Sequence, residues 1–264
     1  MRTALSLPNM GDPHRLVEIA VAADANGWDG YFLWDHLHFM RSLDVEVFDP
    51  WVVLGAAAVQ TARVRLGTMI TPVARRRPQK LAKEVVTLDH LSGGRAILGV
   101  GLGEPGTDDF AAFGDEGDRH GRAALLDQGL ALLDGYLRGE PVLDEAAGVD
   151  AHLRPGAVQD PRPPIWVAGK WPNPKPLERA ARWDGYLPIG PTGAPATPEM
   201  VADLVATLGD TATRPGFDVV VMLDGEHPPA DYEAAGATWC AWGAWPFGDW
   251  LAEMEALASS PPPN

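Results

Sequence analysis

Apolar and polar positions along this chain alternate between two patterns. Short runs in which nearly every residue is apolar are followed by longer segments whose apolar residues recur every three or four positions. The runs predict strands over 2–7, 30–34, 64–70, 96–100, 165–168, 186–189, 217–222 and 238–242. The periodic segments predict helices over 13–26, 50–61, 78–91, 119–137, 174–183, 198–208, 230–235 and 247–258. In the first helix Leu16, Ile19, Ala20 and Ala23 share a face, Asp12 caps the start and Gly27 ends it. Strands apolar throughout belong to a parallel sheet covered on both faces. Eight β-α repeats without an internal linker predict an α/β fold of the (β/α)8 TIM-barrel type, a single domain over 1–258. Residues 139–163, rich in Gly, Pro and acidic residues, read as a loop insertion after the fourth unit, and 259–264 (Ser-Ser-Pro-Pro-Pro-Asn) as a disordered tail.

Composition narrows the function. Lys and Arg number 21 against 36 Asp and Glu, a net charge of −15, which repels nucleic-acid backbones and anionic membrane surfaces. The N-terminus lacks the apolar core of a signal peptide and no stretch is long enough to span a bilayer, so a cytoplasmic protein with no membrane or nucleic-acid partner is expected. Cys240 is the only cysteine, which excludes an internal disulfide and a cysteine-based zinc cluster and reads as a small buried apolar residue. No histidine spacing suggests a metal.

A barrel of this type carries its chemistry where strands end and the following loops begin. Those ends hold Leu7-Pro8-Asn9, Trp34-Asp35-His36, Thr71-Pro72, Gly101-Leu102-Gly103-Glu104, Gly169-Lys170-Trp171 and Pro188-Ile189-Gly190. Gly101, Gly103 and Gly106 have the G-x-G-x-x-G spacing of a dinucleotide loop, but they follow the fourth strand rather than the first, and Glu104, Asp108 and Asp109 crowd the place of two phosphates. Gly99, Gly101 and Gly103 instead leave a strand end bare of side chains, which a flat ring could approach. His36 beside Asp35 suits proton transfer or the orientation of a ring carbonyl, against the alternative that Asp35 caps a loop and His36 fills space. Glu104 is a general acid or a solvated carboxylate. The run Arg75-Arg76-Arg77 answers either an anionic group of a ligand or the surplus carboxylates of a surface loop, the second preferred for at least two of the three. Residues 166–173 form a strand, a turn and a helix start whose backbone N–H groups, with Lys170, suit a phosphate. The acidic stretch 222–226 argues against a sugar-phosphate isomerase or aldolase. Trp239, Trp242, Trp245 and Trp250 line the mouth, an interface or the core.

The order NGWDGYFLWDH, then RLGT, an R-x-P, LSGGR leading into a glycine-rich strand, then PIWVAGKWPN and AARWDGYLP, resembles the luciferase-like flavin-dependent oxidoreductases over nearly all of 1–250. The resemblance implies a barrel that binds FMN or the deazaflavin coenzyme F420, the latter slightly favoured, at its C-terminal mouth. The ring would lie on the ends of the third and fourth strands, against Thr68, Met69, Ile70, Gly101 and Gly103, with Asp35 alongside and a non-prolyl cis peptide near Met69-Ile70 as its prop. Gly169, Lys170 and Trp171 would meet the cofactor tail, although this turn is poorer in Gly and Ser than is usual in the family. By the same resemblance His36 and Glu104 are the catalytic residues. The expected activity is hydride transfer to or from a small organic substrate. The alternatives are an FMN-dependent monooxygenase served by a partner flavin reductase, or a non-catalytic flavin-binding barrel. Short loops leave a small or exposed substrate site, or one completed in a homodimer, and the lack of basic residues in the second half makes glucose 6-phosphate a poor guess.

Overall fold

A computed structural model describes residues 1–40, 43–103, 109–146 and 148–263. The chain opens with β1 (Arg2–Leu7), α1 (Pro13–Asn26), β2 (Gly30–Leu33), α2 (Pro50–Ala58), β3 (Arg65–Pro72), α3 (Pro78–Ser92), β4 (Ala96–Gly101) and α4 (Arg119–Arg138). It continues through β5 (Pro141–Asp144), β6 (Val149–His152), β7 (Ile165–Lys170), α5 (Pro174–Ala180), β8 (Gly185–Ile189), α6 (Pro198–Leu208), α7 (Asp210–Thr213), β9 (Asp218–Met222), α8 (Pro229–Ala234), β10 (Trp239–Gly243) and α9 (Trp250–Ala258). Eight strands close a parallel barrel in the order β1-β10-β9-β8-β7-β4-β3-β2, as the strand pattern predicted. The insertion differs from the expected loop. Its β5 and β6 form an antiparallel hairpin, with Pro141 opposite His152 and Asp144 opposite Val149. The tail differs as well, because the Ser260 carbonyl accepts a hydrogen bond from Trp28 Nε1 at 3.0 Å, which ties its start to the barrel.

Alternation along the strands divides the core in two. Ala4, Phe32, Ile97, Trp166, Leu187, Val220 and Trp239 fill the lumen, whereas Leu5, Leu7, Leu98, Val167 and Val221 pack outward against the helices. Cys240 is fully buried with the outer set, and burial pushes its thiol up to about 11, so it is the inert apolar residue expected.

The segment that most recommended the family resemblance is a structural clamp. Gly93 and Gly94 take φ of 67° and 89°, a left-handed exit from α3 that only glycine adopts readily. Arg95 then donates to the carbonyls of Ser92, Val64, Ala58 and Thr61 at 2.6 to 3.0 Å, collecting carbonyls from the end of α2, the segment before β3 and the end of α3. Buried Asp89 complements it, accepting from the backbone N–H groups of Val158 and Gln159 and from Gln159 Nε2, so the insertion is pinned to α3. No described helix is long and apolar enough to cross a membrane.

Candidate active site

At the C-terminal mouth, β3 departs from regular pairing. Thr68 lies opposite Leu98 and Thr71 opposite Val100, so β3 carries one more residue than β4 across this interval. The peptide Met69-Ile70 within the bulge is cis, at the position the resemblance indicated. The neighbouring glycines exist for this geometry. A Cβ on Gly67 would lie 1.8 Å from the Ile97 carbonyl oxygen, and one on Gly99 would lie 2.3 Å from that of Thr68. The same test gives the other strand-end glycines a packing reason of their own. The space beside Gly101 is taken by Ile70 and Ala168, beside Gly103 by Phe110 and Pro72, and beside Gly169 by Pro176.

The bulge offers an apolar floor instead. Met69 is buried with the lumen cluster, and half-buried Ile70, Ile189 and Met222 pack on that cluster from the mouth side. Ser6, on the lumen face of β1 two residues beyond Ala4, is fully buried, and its hydroxyl has no partner among the described residues. A flat, mainly apolar ring with a few polar edges fits such a floor.

Beside the floor stands a network of buried charge. Asp35 is wholly buried and accepts from Thr71 Oγ1 at 2.7 Å and from Arg76 Nη2 at 2.6 Å, while Arg75 Nη2 donates to both its carboxylate and its carbonyl. The Thr71 hydroxyl also lies 2.9 Å from that of Thr68, which reaches the Gly99 carbonyl. Arg75 turns its other terminal nitrogen toward Asp109, at 2.9 Å. Two of the three arginines thus pair with carboxylates of the chain, as the preferred reading of the sequence has it, but buried rather than on a surface loop: the Arg75 side chain is 2% exposed, Arg76 also pairs with Glu84, and only Arg77 is exposed. Asp35, expected to lie beside a cofactor, instead serves as the common counter-ion of two arginines.

Asp109 faces His36, with its Oδ2 2.6 Å from His36 Nδ1. Its Oδ1 accepts from the backbone N–H groups of Leu37 and His38 at 3.1 and 2.7 Å. Burial works to raise the Asp109 carboxyl, but the hydrogen bond from His36 and the charge of Arg75 outweigh it and hold the group below the ordinary carboxylate range. An ionised Asp109 accepts only, so Nδ1 carries a proton and Nε2 is left as the working nitrogen. Asn9, fully buried, fixes the backbone beneath the ring, its Nδ2 donating to the His36 carbonyl at 2.9 Å and its Oδ1 accepting from the His36 N–H at 3.2 Å. This is an imidazole oriented by a buried carboxylate, the arrangement that proton transfer needs.

In the turn after β7 backbone N–H groups are already engaged. The Trp171 N–H donates to the Ile189 carbonyl and the Asn173 N–H to that of Lys170, while Pro172, Pro174 and Pro176 have no N–H to give. The Gly169 carbonyl is occupied by Tyr186 Oη, and Trp171 is half-buried against the core. Lys170 and Lys175, both exposed, are the cations of this turn and of the helix start after it. Of the expected seat on Gly169, Lys170 and Trp171, the exposed Lys170 side chain is the group open to an anion. Glu104, together with Gly106 and Asp108, lies outside the described residues. Asp109 was legible only as one more crowding carboxylate. Its partner is 73 residues away, and the available signal was that arginines beside strand ends need buried counter-ions.

Residues 2–234 match the model of the luciferase-like monooxygenase family. The chain belongs to that family. Among similar proteins, the F420-dependent glucose-6-phosphate dehydrogenase of Beutenbergia cavernae is 32% identical over 248 residues, 88% of this chain and 69% of that protein. The enzyme of the same name from Kineococcus radiotolerans is 34% identical over 181 residues, 66% of this chain and 52% of that protein. The chain spans roughly half to two thirds of the first such relatives. Among solved structures, an F420-dependent secondary alcohol dehydrogenase in complex with an F420-acetone adduct superposes with a TM-score of 0.78 at 15% identity, covering 97% of each chain. The F420-dependent tetrahydromethanopterin reductase of Methanopyrus kandleri gives 0.73 at 18% identity, covering 98% of each. At these identities the structures establish the fold of the family, the (β/α)8 barrel.

Proposed function

We propose that this protein is an oxidoreductase that binds a flavin-type cofactor at the mouth of the barrel, coenzyme F420 in preference to FMN, and transfers hydride to or from a small organic substrate. The observation that carries the reading is the 2.6 Å contact between His36 Nδ1 and buried Asp109, which leaves Nε2 to take up or deliver a proton. The cofactor, when bound, supplies the hydride chemistry. The floor of Met69, Ile70, Ile189 and Met222 holds the ring and shields it from water, while Asn9 and Asp109 fix His36 beside it. The preference for F420 is supported by relatives named as F420-dependent dehydrogenases at 32–34% identity. Glu104 is a second candidate for the proton.

Titration of the purified protein with F420 and with FMN, followed by tryptophan fluorescence, tests the reading. Saturable binding of F420, retained in His36→Ala, is expected. Binding of FMN alone would favour a monooxygenase served by a partner reductase, and binding of neither would remove the flavin reading.

A further inference from the structure

Around the edge of the mouth, from the end of β2 to the loop after β10, aromatic side chains follow one another without a break. Phe247 stacks on Trp245 at 6.5 Å between ring centres and an interplanar angle of 14°. Trp245 meets Trp34 edge-on at 5.6 Å, Trp34 meets the His36 ring at 5.8 Å, and His36 meets Phe39 at 5.2 Å. The inner members are covered and the outer ones are not: Phe39 is 3% exposed, Trp245 61% and Phe247 54%. A file of rings that begins in solvent, passes the histidine of the site and ends on buried Phe39 is a surface suited to an apolar occupant.

Charge on the same side points the same way. Arg75 and Arg76 are committed to Asp35 and Asp109, and Lys170 on β7 is three strands round the barrel from both β2 and β10. The loops that carry the rings bring carboxylates, namely Asp44, Glu46 and Asp249. Among the described residues of these loops a phosphate dianion would meet carboxylates and no guanidinium, whereas a neutral flat group loses nothing.

We propose that this wall selects the substrate of the oxidoreductase described above, and that the substrate is an uncharged molecule with an aromatic or similarly flat apolar group rather than a sugar phosphate. The inference rests on the oxidoreductase reading for the identity of the site but is tested by binding alone. The probes are 4-phenyl-3-buten-2-one, an aryl enone, and glucose 6-phosphate, each titrated by ligand-observed NMR into the protein with and without F420. The enone is expected to bind saturably, and the double variant Trp245→Ala, Phe247→Ala to weaken it roughly tenfold, with the milder Trp245→Phe keeping most of the affinity. Both rings are exposed, so circular dichroism should show unchanged folding. Saturable binding of glucose 6-phosphate, absence of enone binding, or enone binding indifferent to the double variant would each overturn the proposal. So would a shift of the sedimenting species from dimer to monomer in the variant with enone binding unchanged, which would make the wall a subunit contact. Failure of the flavin titration is a separate result and bears on the oxidoreductase reading alone.

Discussion

Replacing Asp109 by Asn tests the imidazole-carboxylate pair atom by atom. Leu37 and His38 donate to Oδ1, whereas His36 Nδ1 and Arg75 Nη1 face Oδ2. Asn keeps the first oxygen and both backbone bonds, so the loop holds. It puts an NH2 group where Oδ2 was, and that group donates. His36 Nδ1 must then accept, and the neutral ring moves its proton to Nε2. The nitrogen that presented a lone pair now presents a hydrogen and cannot accept a proton. A loss of roughly a hundred- to ten-thousand-fold in turnover is expected, with cofactor binding within a few-fold of wild type.

The same change has a cost in stability. Arg75 loses one of two buried carboxylates but keeps Asp35, so the penalty should fall near the lower end for a broken buried pair, about 3 kcal/mol by urea denaturation. Because the fold depresses the Asp109 carboxyl, its stabilisation is complete above the unfolded-state value near pH 4 and is lost as pH falls through the lower folded value. The Asn variant should lack that part of the acid dependence. Nitrogen-15 NMR of the imidazole reads the tautomer directly, without a substrate. A wild-type His36 with its proton on Nε2, or an Asn variant with an unchanged tautomer, would refute the argument.

Other consequences are simpler to check. Arg95→Ala strands the carbonyls of Ala58, Thr61, Val64 and Ser92, and should cost about 2–4 kcal/mol in chemical denaturation while leaving cofactor affinity unchanged once folded. Gly99→Ala places a methyl 2.3 Å from the Thr68 carbonyl oxygen and should displace the bulge and abolish cofactor binding, whereas Gly117→Ala, with nothing within 4 Å, should change stability by less than about 0.5 kcal/mol. For whichever ring system binds, the phosphorylated cofactor and its dephosphorylated form should differ in affinity by less than about fivefold, because the segment after β7 offers only two solvent-exposed lysines, Lys170 and Lys175, and few free N–H groups.

Periodicity made the scaffold readable because each β-α unit states its own type locally. Val and Ile runs become β-strands, and helices begin at Asp12 and Asp49 and end at Gly27, Gly93 and Gly139, all through contacts a few residues apart. The hairpin of β5 and β6 escaped because its strands are only four residues each and half exposed, too short for their alternation to stand out from a loop. His36 was legible as a site residue from its place at a strand end. What makes it useful was not, since Asp109, Arg75 and Asn9 converge on it from the loops after β4, β3 and β1, and no local pattern records which loops meet.

The glycines carry this point furthest. In the sequence, Gly99, Gly101 and Gly103 suggest a surface kept bare for a ligand, yet on the side where a Cβ would stand the protein itself fills each space, at Gly101 with the Ile70 side chain of the proposed ring floor. A motif can therefore belong to the site without touching what the site binds. LSGGR stands further off still, at the ends of α2 and α3 and at the start of β4, where it closes the scaffold. Similarity to F420-dependent dehydrogenases weighted by such segments speaks for the barrel and the ring floor. It says less about the loops after β7 and β10, where Pro172 and Pro174 leave few backbone N–H groups and Trp245 and Phe247 build an apolar wall. The substrate must be sought from those loops, and they favour a neutral ring over a phosphate.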